Sequence, residues 1–137
     1  ITLDWSGDGS FTSLLVVGKE KDKFLAQEVR TGGASITNLA DIIVDLKNDG
    51  QQEVLIPRAL GPHDGTTPPA VIPDVYQWDG QQLVQANGAF KGYYTEVVLP
   101  RLREEMAAVS RNKHSASLKL KHKFEAEISE LMKIVNQ

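Results

Sequence analysis

Cysteine is absent from this 137-residue chain, which excludes disulfide staples, thiolate metal sites and cysteine nucleophiles together. Aromatic residues are few, 7% of the chain with only two tryptophans, so any ring held at the surface is a feature to locate. No apolar run approaches the roughly 20 residues that a membrane-spanning helix requires, and membrane insertion is not expected. A glycine-rich phosphate loop behind a strand, a nucleophile elbow and paired carboxylates in a predicted cleft are missing as well. Catalysis therefore has no sequence support, and a non-enzymatic protein is expected. The length suits a single domain spanning residues 1–137, which would bury about 68% of its extended surface without staples.

Basic charge is scarce where acidic charge is plentiful. Residues 1–100 carry 7 Lys and Arg against 13 Asp and Glu, while residues 101–137 carry 8 against 5. Opposite signs in two halves of a small protein attract or solvate separate faces. The basic string Arg111, Lys113, His114, Lys119, Lys121, His122 and Lys123 lacks the interleaved aromatics of a single-strand binder. It reads as a solvated or docked helix face, with no nucleic acid partner. His114 and His122 stand about two helical turns apart, too far to chelate one metal.

What the chain does have is a repeat. DWSGDGSFT, from Asp4, and DLKNDGQQE, from Asp45, lie 41 residues apart and share Asp4 with Asp45, Asp8 with Asp49, Gly9 with Gly50 and Leu14 with Leu55. Short apolar runs flank each copy, giving a unit of strand, acidic turn and strand, the size of one propeller blade. Phe11 to Val17 and Phe24 to Val29 read as a hairpin around a charged turn. Ile42 to Leu46, too apolar to alternate, reads as a central strand pairing with Glu53 to Ile56, and Pro57 is expected to end that ladder. Residues 61–73, GPHDGTTPPAVIP, hold four prolines and two glycines and read as the longest loop. In VYQWDGQQLV, Asp79-Gly80 between β-forming runs signals a further hairpin.

From Asn87, an expected N-cap, the period changes from two to that of a helix. Phe90, Tyr94, Val98, Leu102, Met106 and Val109 share one helical face, with a kink or break expected at Leu99 before Pro100. A second helix, from Ser115 or Ser117 to Val135, carries Leu120, Phe124, Ile128, Leu131 and Val135 as its stripe. The expected architecture is α+β: an antiparallel sheet from two blade-like β repeats (residues 1–86), capped by a C-terminal helix pair (residues 87–137). Two units cannot close a propeller ring.

The D-x-x-x-D-G turns resemble those of the FG-GAP and VCBS repeats of integrin-type propellers and secreted bacterial proteins, clearly over residues 1–60 and loosely over 73–86. That resemblance implies an extracytoplasmic protein, secreted or periplasmic, and calcium as the candidate cofactor. Matched position by position, it implies metal ligands at Asp4, Ser6, Asp8 and Thr12 in the first copy and at Asp45, Asp49 and Glu53 in the second. Neither set is complete. The first copy lacks the acid at its ninth position, and the second puts Lys47 at its third. Calcium wants six to eight oxygens, and an ammonium held about 4 Å from a divalent ion costs on the order of 8 kcal/mol at an effective dielectric of 20. Aspartate and glycine are also what a tight turn selects without any ion.

Outside the turns, His63 and Asp64 in the proline-rich loop and the ring of Trp78 are the candidate binding residues. Adjacent His63 and Asp64 do not make a triad, which needs residues brought together from separate places in the chain. The expected function is a binding or scaffold module with a protein or glycan partner. Two alternatives stand beside it: a calcium-dependent adhesion or glycan-binding module, and a module that dimerises through the Leu120 to Val135 stripe. The expected state is accordingly a monomer or a homodimer.

Overall fold

The computed structural model describes residues 2–5, 11–20, 22–30, 36, 38–60, 70–110 and 115–136. The fold is α+β. Its strands are β1 (Thr2–Trp5), β2 (Phe11–Glu20), β3 (Lys23–Arg30), β4 (Ile43–Val44), β5 (Glu53–Leu60), β6 (Ala70–Trp78) and β7 (Leu83–Gln85). They form two sheets, β1-β2-β3 and β4-β5-β6-β7. The helices are α1 (Lys91–Tyr93), α2 (Leu99–Ser110) and α3 (Ser115–Asn136). By its contacts the chain divides into two compact units, Ile1–Arg58 with Pro73–Asn87, and Ala59–Ile72 with Gly88–Gln137.

In both copies of the repeat the two flanking strands pair antiparallel; residues 6–10, between the strands of the first copy, lie outside the described residues. They are not equivalent in detail. Asp4 sits in the β1 ladder opposite Ser13, whereas Asp45 follows β4 and begins a turn. In the first unit, inward residues of both sheets share one core of Leu14, Val16, Val29, Ile36, Ile42, Val54, Ile56 and Leu83. Alternation on β2 puts Leu14 and Val16 inside and Leu15 and Val17 outside.

Several expected boundaries move, each for a local reason. The expected central strand Ile42 to Leu46 shrinks to the two residues of β4 and lies at a sheet edge, because a 3₁₀ turn at Leu39–Asp41 precedes it and the Asp45 turn follows. The ladder of β4 with β5 ends before Pro57 as expected, but β5 itself continues to Leu60. The Leu55 amide donates to the Ile42 carbonyl, so odd-numbered β5 residues face β4. At position 57 β4 has already ended, and a missing N–H costs no ladder bond there. The loop expected over 61–73 is shorter, since β6 begins at Ala70 and runs through Pro73; residues 61–69 lie outside the described residues. The hairpin at Asp79-Gly80 is present, but it has four loop residues. Trp78 pairs with Leu83, and Asp79 Oδ1 accepts from the amides of Gln81 and Gln82, both at 2.9 Å.

The β7-facing side of β6 shows how a short edge strand is compensated. Gln77 pairs with Val84, and beyond the end of β7 the Val75 amide donates to Asn87 Oδ1 at 2.7 Å. Pro73 has no N–H to satisfy. The Val71 amide donates to Glu127 Oε1 at 2.7 Å. Side chains and one proline thus close an edge that a longer β7 would have paired.

Asn87 is consequently not the expected helix N-cap; its side chain is used by β6 and Asp74. The helix is also not broken at Leu99. A π turn over Tyr94–Val98 joins α1 to α2, with the Leu99 amide donating to the Tyr94 carbonyl. One wide turn immediately before Pro100 accommodates the missing donor, and the Thr95 hydroxyl reaches the Lys91 carbonyl at 3.0 Å. Phe90, Tyr94, Val98 and Leu102 are buried as their spacing predicts. α2 and α3 pack on one another in the second unit. On α3 the buried face is Phe124, Glu127, Leu131 and Ile134, with Leu120, Ile128 and Val135 half-buried at its margin. The buried stripe is rotated from the predicted one and includes a carboxylate.

Candidate functional site

The second acidic turn spends its carboxylates on its own backbone. Asp45 Oδ1 accepts from the Asp49 amide at 3.1 Å and Asp45 Oδ2 from the Gly50 amide at 2.8 Å; Asp49 Oδ1 accepts from Gln51 at 2.9 Å. Asn48 and Gly50 take positive φ, 54° and 83°, the left-handed conformation for which Asn and Gly are the best-suited residues. The Gly50 amide first, with those of Asp49, Asn48 and Lys47, holds the Asp45 carboxyl below its ordinary range against a smaller desolvation effect. Glu53 is fully buried, its Oε2 accepting from the Leu46 amide at 2.9 Å and its Oε1 from Gln77 Nε2 at 3.3 Å. Of the residues proposed as metal ligands, the fold brings Asp45 and Asp49 into one turn and sets Glu53 at its neck. Ser6 and Asp8 lie outside the described residues, and Asp4 and Thr12 fall within β1 and β2. Among the described residues no group of three or more His, Asp or Glu side chains is placed to hold a metal ion.

A geometry this self-satisfied predicts a definite calorimetric result. Unfolding at fixed ionic strength with excess calcium, excess magnesium or a chelator is expected to give the same Tm in all three. A calcium-specific rise of several degrees, as saturation at a hundred times Kd would produce through about 2.7 kcal/mol, would make the acidic turns a binding site.

Among the candidate binding residues, His63 and Asp64 lie outside the described residues. Trp78 is different. At the C-terminal end of β6, 38% exposed, it lines a groove of about 510 Å³ with Val16, Lys23, Leu25, Ala26, Gln27, Gln81 and Gln82. Strand alternation puts Lys23, Leu25 and Gln27 on one side of β3, and the Asp79 turn supplies Gln81 and Gln82. The wall is fixed by an amide clamp: Gln27 Nε2 donates to the Leu83 carbonyl at 2.9 Å, while Gln27 Oε1 accepts from the Leu83 amide at 2.6 Å. One side chain thereby closes the outward backbone edge of β7 at Leu83 and ties β3 to it. The Asp79 carboxyl, bonded first by Gln82 and then by Gln81, is held below its ordinary range.

Sequence reasoning found Trp78 and missed the rest of this groove. The signals were the period-two pattern Lys23, Leu25, Gln27 and the glutamine pair directly after Asp79-Gly80. Neither carries meaning until the fold brings residues 23–27 against residues 78–83. No protein-family model matches the chain, and no curated protein or solved structure matches it. Among the described residues, no helix is long and apolar enough to cross a membrane.

Proposed function

We propose that this chain is a non-enzymatic binding module of an extracytoplasmic protein and that the Trp78 groove is its contact surface. The observation that carries the reading is the lining itself: an exposed indole, three glutamine amides and a lysine around one concavity. Such a lining can stack, donate and accept, and among the described residues it holds no acid–base pair and no activated nucleophile. Kinship with FG-GAP and VCBS repeats belongs to the same proposal. It is supported by the antiparallel pairing of the two flanking strands in both copies. Dimerisation through α3 finds less support, because the stripe from Leu120 to Val135 is buried or half-buried within the chain.

The side-chain amides of Gln27, Gln81 and Gln82 and the Trp78 indole N–H give separate NMR signals, so the groove reports on itself. Titration with a panel of small neutral and acidic sugars and short peptides should shift these signals together, with α2 and α3 unmoved. A ligand that moves only signals outside the groove, or a panel that moves none, would refute the assignment of this surface.

A further inference from the structure

We infer that the ligand of the Trp78 groove is a glycan carrying a carboxylate, such as a uronate-containing chain; this deepens the proposed function and rests on the groove being the contact surface. Three features select the class. The first is Trp78, whose partly exposed ring offers a flat apolar surface to the C–H face of a sugar. The second is the glutamine pair. The Gln81 and Gln82 amides are both fixed on Asp79 Oδ1 at 2.9 Å, so the backbone beneath these two side chains is set before any ligand arrives. Each exposed side-chain amide both donates and accepts, which matches neighbouring hydroxyls. The third is Lys23, the one charged residue of the lining among the described residues, which stands opposite Glu20 in the β2–β3 ladder. An ammonium so placed pairs with an anionic group on the ligand through a charge-assisted hydrogen bond.

The clamp argues against the main competitor, an extended peptide. A peptide that adds to a sheet edge needs free backbone donors and acceptors. At the groove, the Leu83 amide and carbonyl are both taken by Gln27, at 2.6 and 2.9 Å. β7 thus offers a peptide no free backbone at Leu83, while the side chains of Trp78, Gln81 and Gln82 beside it are exposed and suit a ligand read by its hydroxyl and carboxylate groups.

The test is calorimetric titration of the whole chain with trigalacturonate, with its neutral counterpart galactotriose and with triglutamate. Trigalacturonate is expected to bind, and galactotriose to bind at least about fivefold more weakly. Lys23→Gln should remove that preference, as should high salt, while Trp78→Ala should weaken binding about tenfold or more. Gln81→Ala, on an exposed turn, should weaken it severalfold and does not depend on a fold-sensitive position. Equal binding of the two sugars overturns the carboxylate inference, and so does the absence of any binding by trigalacturonate. Binding of triglutamate in its place overturns the glycan inference while leaving the groove as the contact surface.

Discussion

Replacing Asp74 with alanine is expected to destabilise the protein by about 3 kcal/mol, the cost typical of breaking a buried ion pair together with its hydrogen-bond network. Asp74 is 3% exposed and uses both carboxylate oxygens. Oδ2 accepts from Arg58 Nε at 2.7 Å and Oδ1 from Asn87 Nδ2 at 2.9 Å, while Asn87 Oδ1 accepts from the Val75 amide. One carboxylate thus links β5, β6 and the segment after β7. Its loss removes one charge-assisted bond from the Arg58 guanidinium and one from the Asn87 amide, and loosens the side chain that caps Val75. The penalty is moderated because the Arg58 side chain is 35% exposed and can turn to water. For a protein of this size a loss of about 3 kcal/mol lowers Tm by about 10 °C. Asp74→Asn keeps an acceptor and a donor in place and should lose less than half as much. Chemical denaturation of the two variants decides it; a loss under about 0.5 kcal/mol for the alanine variant would mean that the network is not holding the strands.

The elements legible in the sequence were those with a strong local signal. The strand pairs of both repeat copies, the Asp45 turn, the Asp79-Gly80 hairpin, the stripe from Phe90 to Leu102 and α3 were readable because turn chemistry and apolar period act over a few residues. The failures share one cause. Pro57 read as the end of its ladder and Pro73 as part of a loop, yet both lie inside strands, each where the neighbouring strand has already ended, and only the register shows that a donor is not needed there. Asn87 read as a helix cap because its neighbours are helical; its side chain is claimed by Val75 and Asp74, twelve and thirteen residues away. In these places a tertiary partner overrode a sound local preference.

The candidate site follows the same division. Trp78 could be picked out as a scarce ring beside a hairpin turn. Gln27 could not, because a glutamine in a strand is ordinary until its amide is found on the backbone of Leu83, 56 residues later. The acidic turns illustrate the opposite case, a pattern that attracts a metal reading from sequence while Asp45 and Asp49 bond backbone amides of their own turn. Glu53, aligned by the resemblance as a ligand, is instead buried between Leu46 and Gln77.

Glu127 should make the stability of this protein fall as pH rises out of the acidic range, and Glu127→Gln should remove that fall. The side chain is 2% exposed on the packed face of α3. Oε1 accepts from the Val71 amide at 2.7 Å and lies 3.9 Å from Lys123 Nζ, while Oε2 is buried without a hydrogen-bond partner. Burial pushes its pKa up, with the Glu105 charge adding to the rise; the Val71 amide, Lys123 and Arg101 act against it. A carboxyl whose pKa is higher folded than unfolded binds its proton more tightly in the native state. Its contribution is therefore complete below the ordinary glutamate value and is lost as pH climbs through the raised one. Glutamine keeps an acceptor for Val71 and cannot ionise. Its stability relative to the parent should rise with pH across that window, with the two curves converging on the acid side. Glu127→Ala removes the acceptor as well, leaving a buried amide unpaired, and should cost about 1–3 kcal/mol. Urea unfolding of the three proteins from pH 4 to 8 separates the possibilities: parallel curves for the parent and the glutamine variant would show that folding leaves the Glu127 pKa where it is in the unfolded chain, with Val71 and Lys123 offsetting its burial.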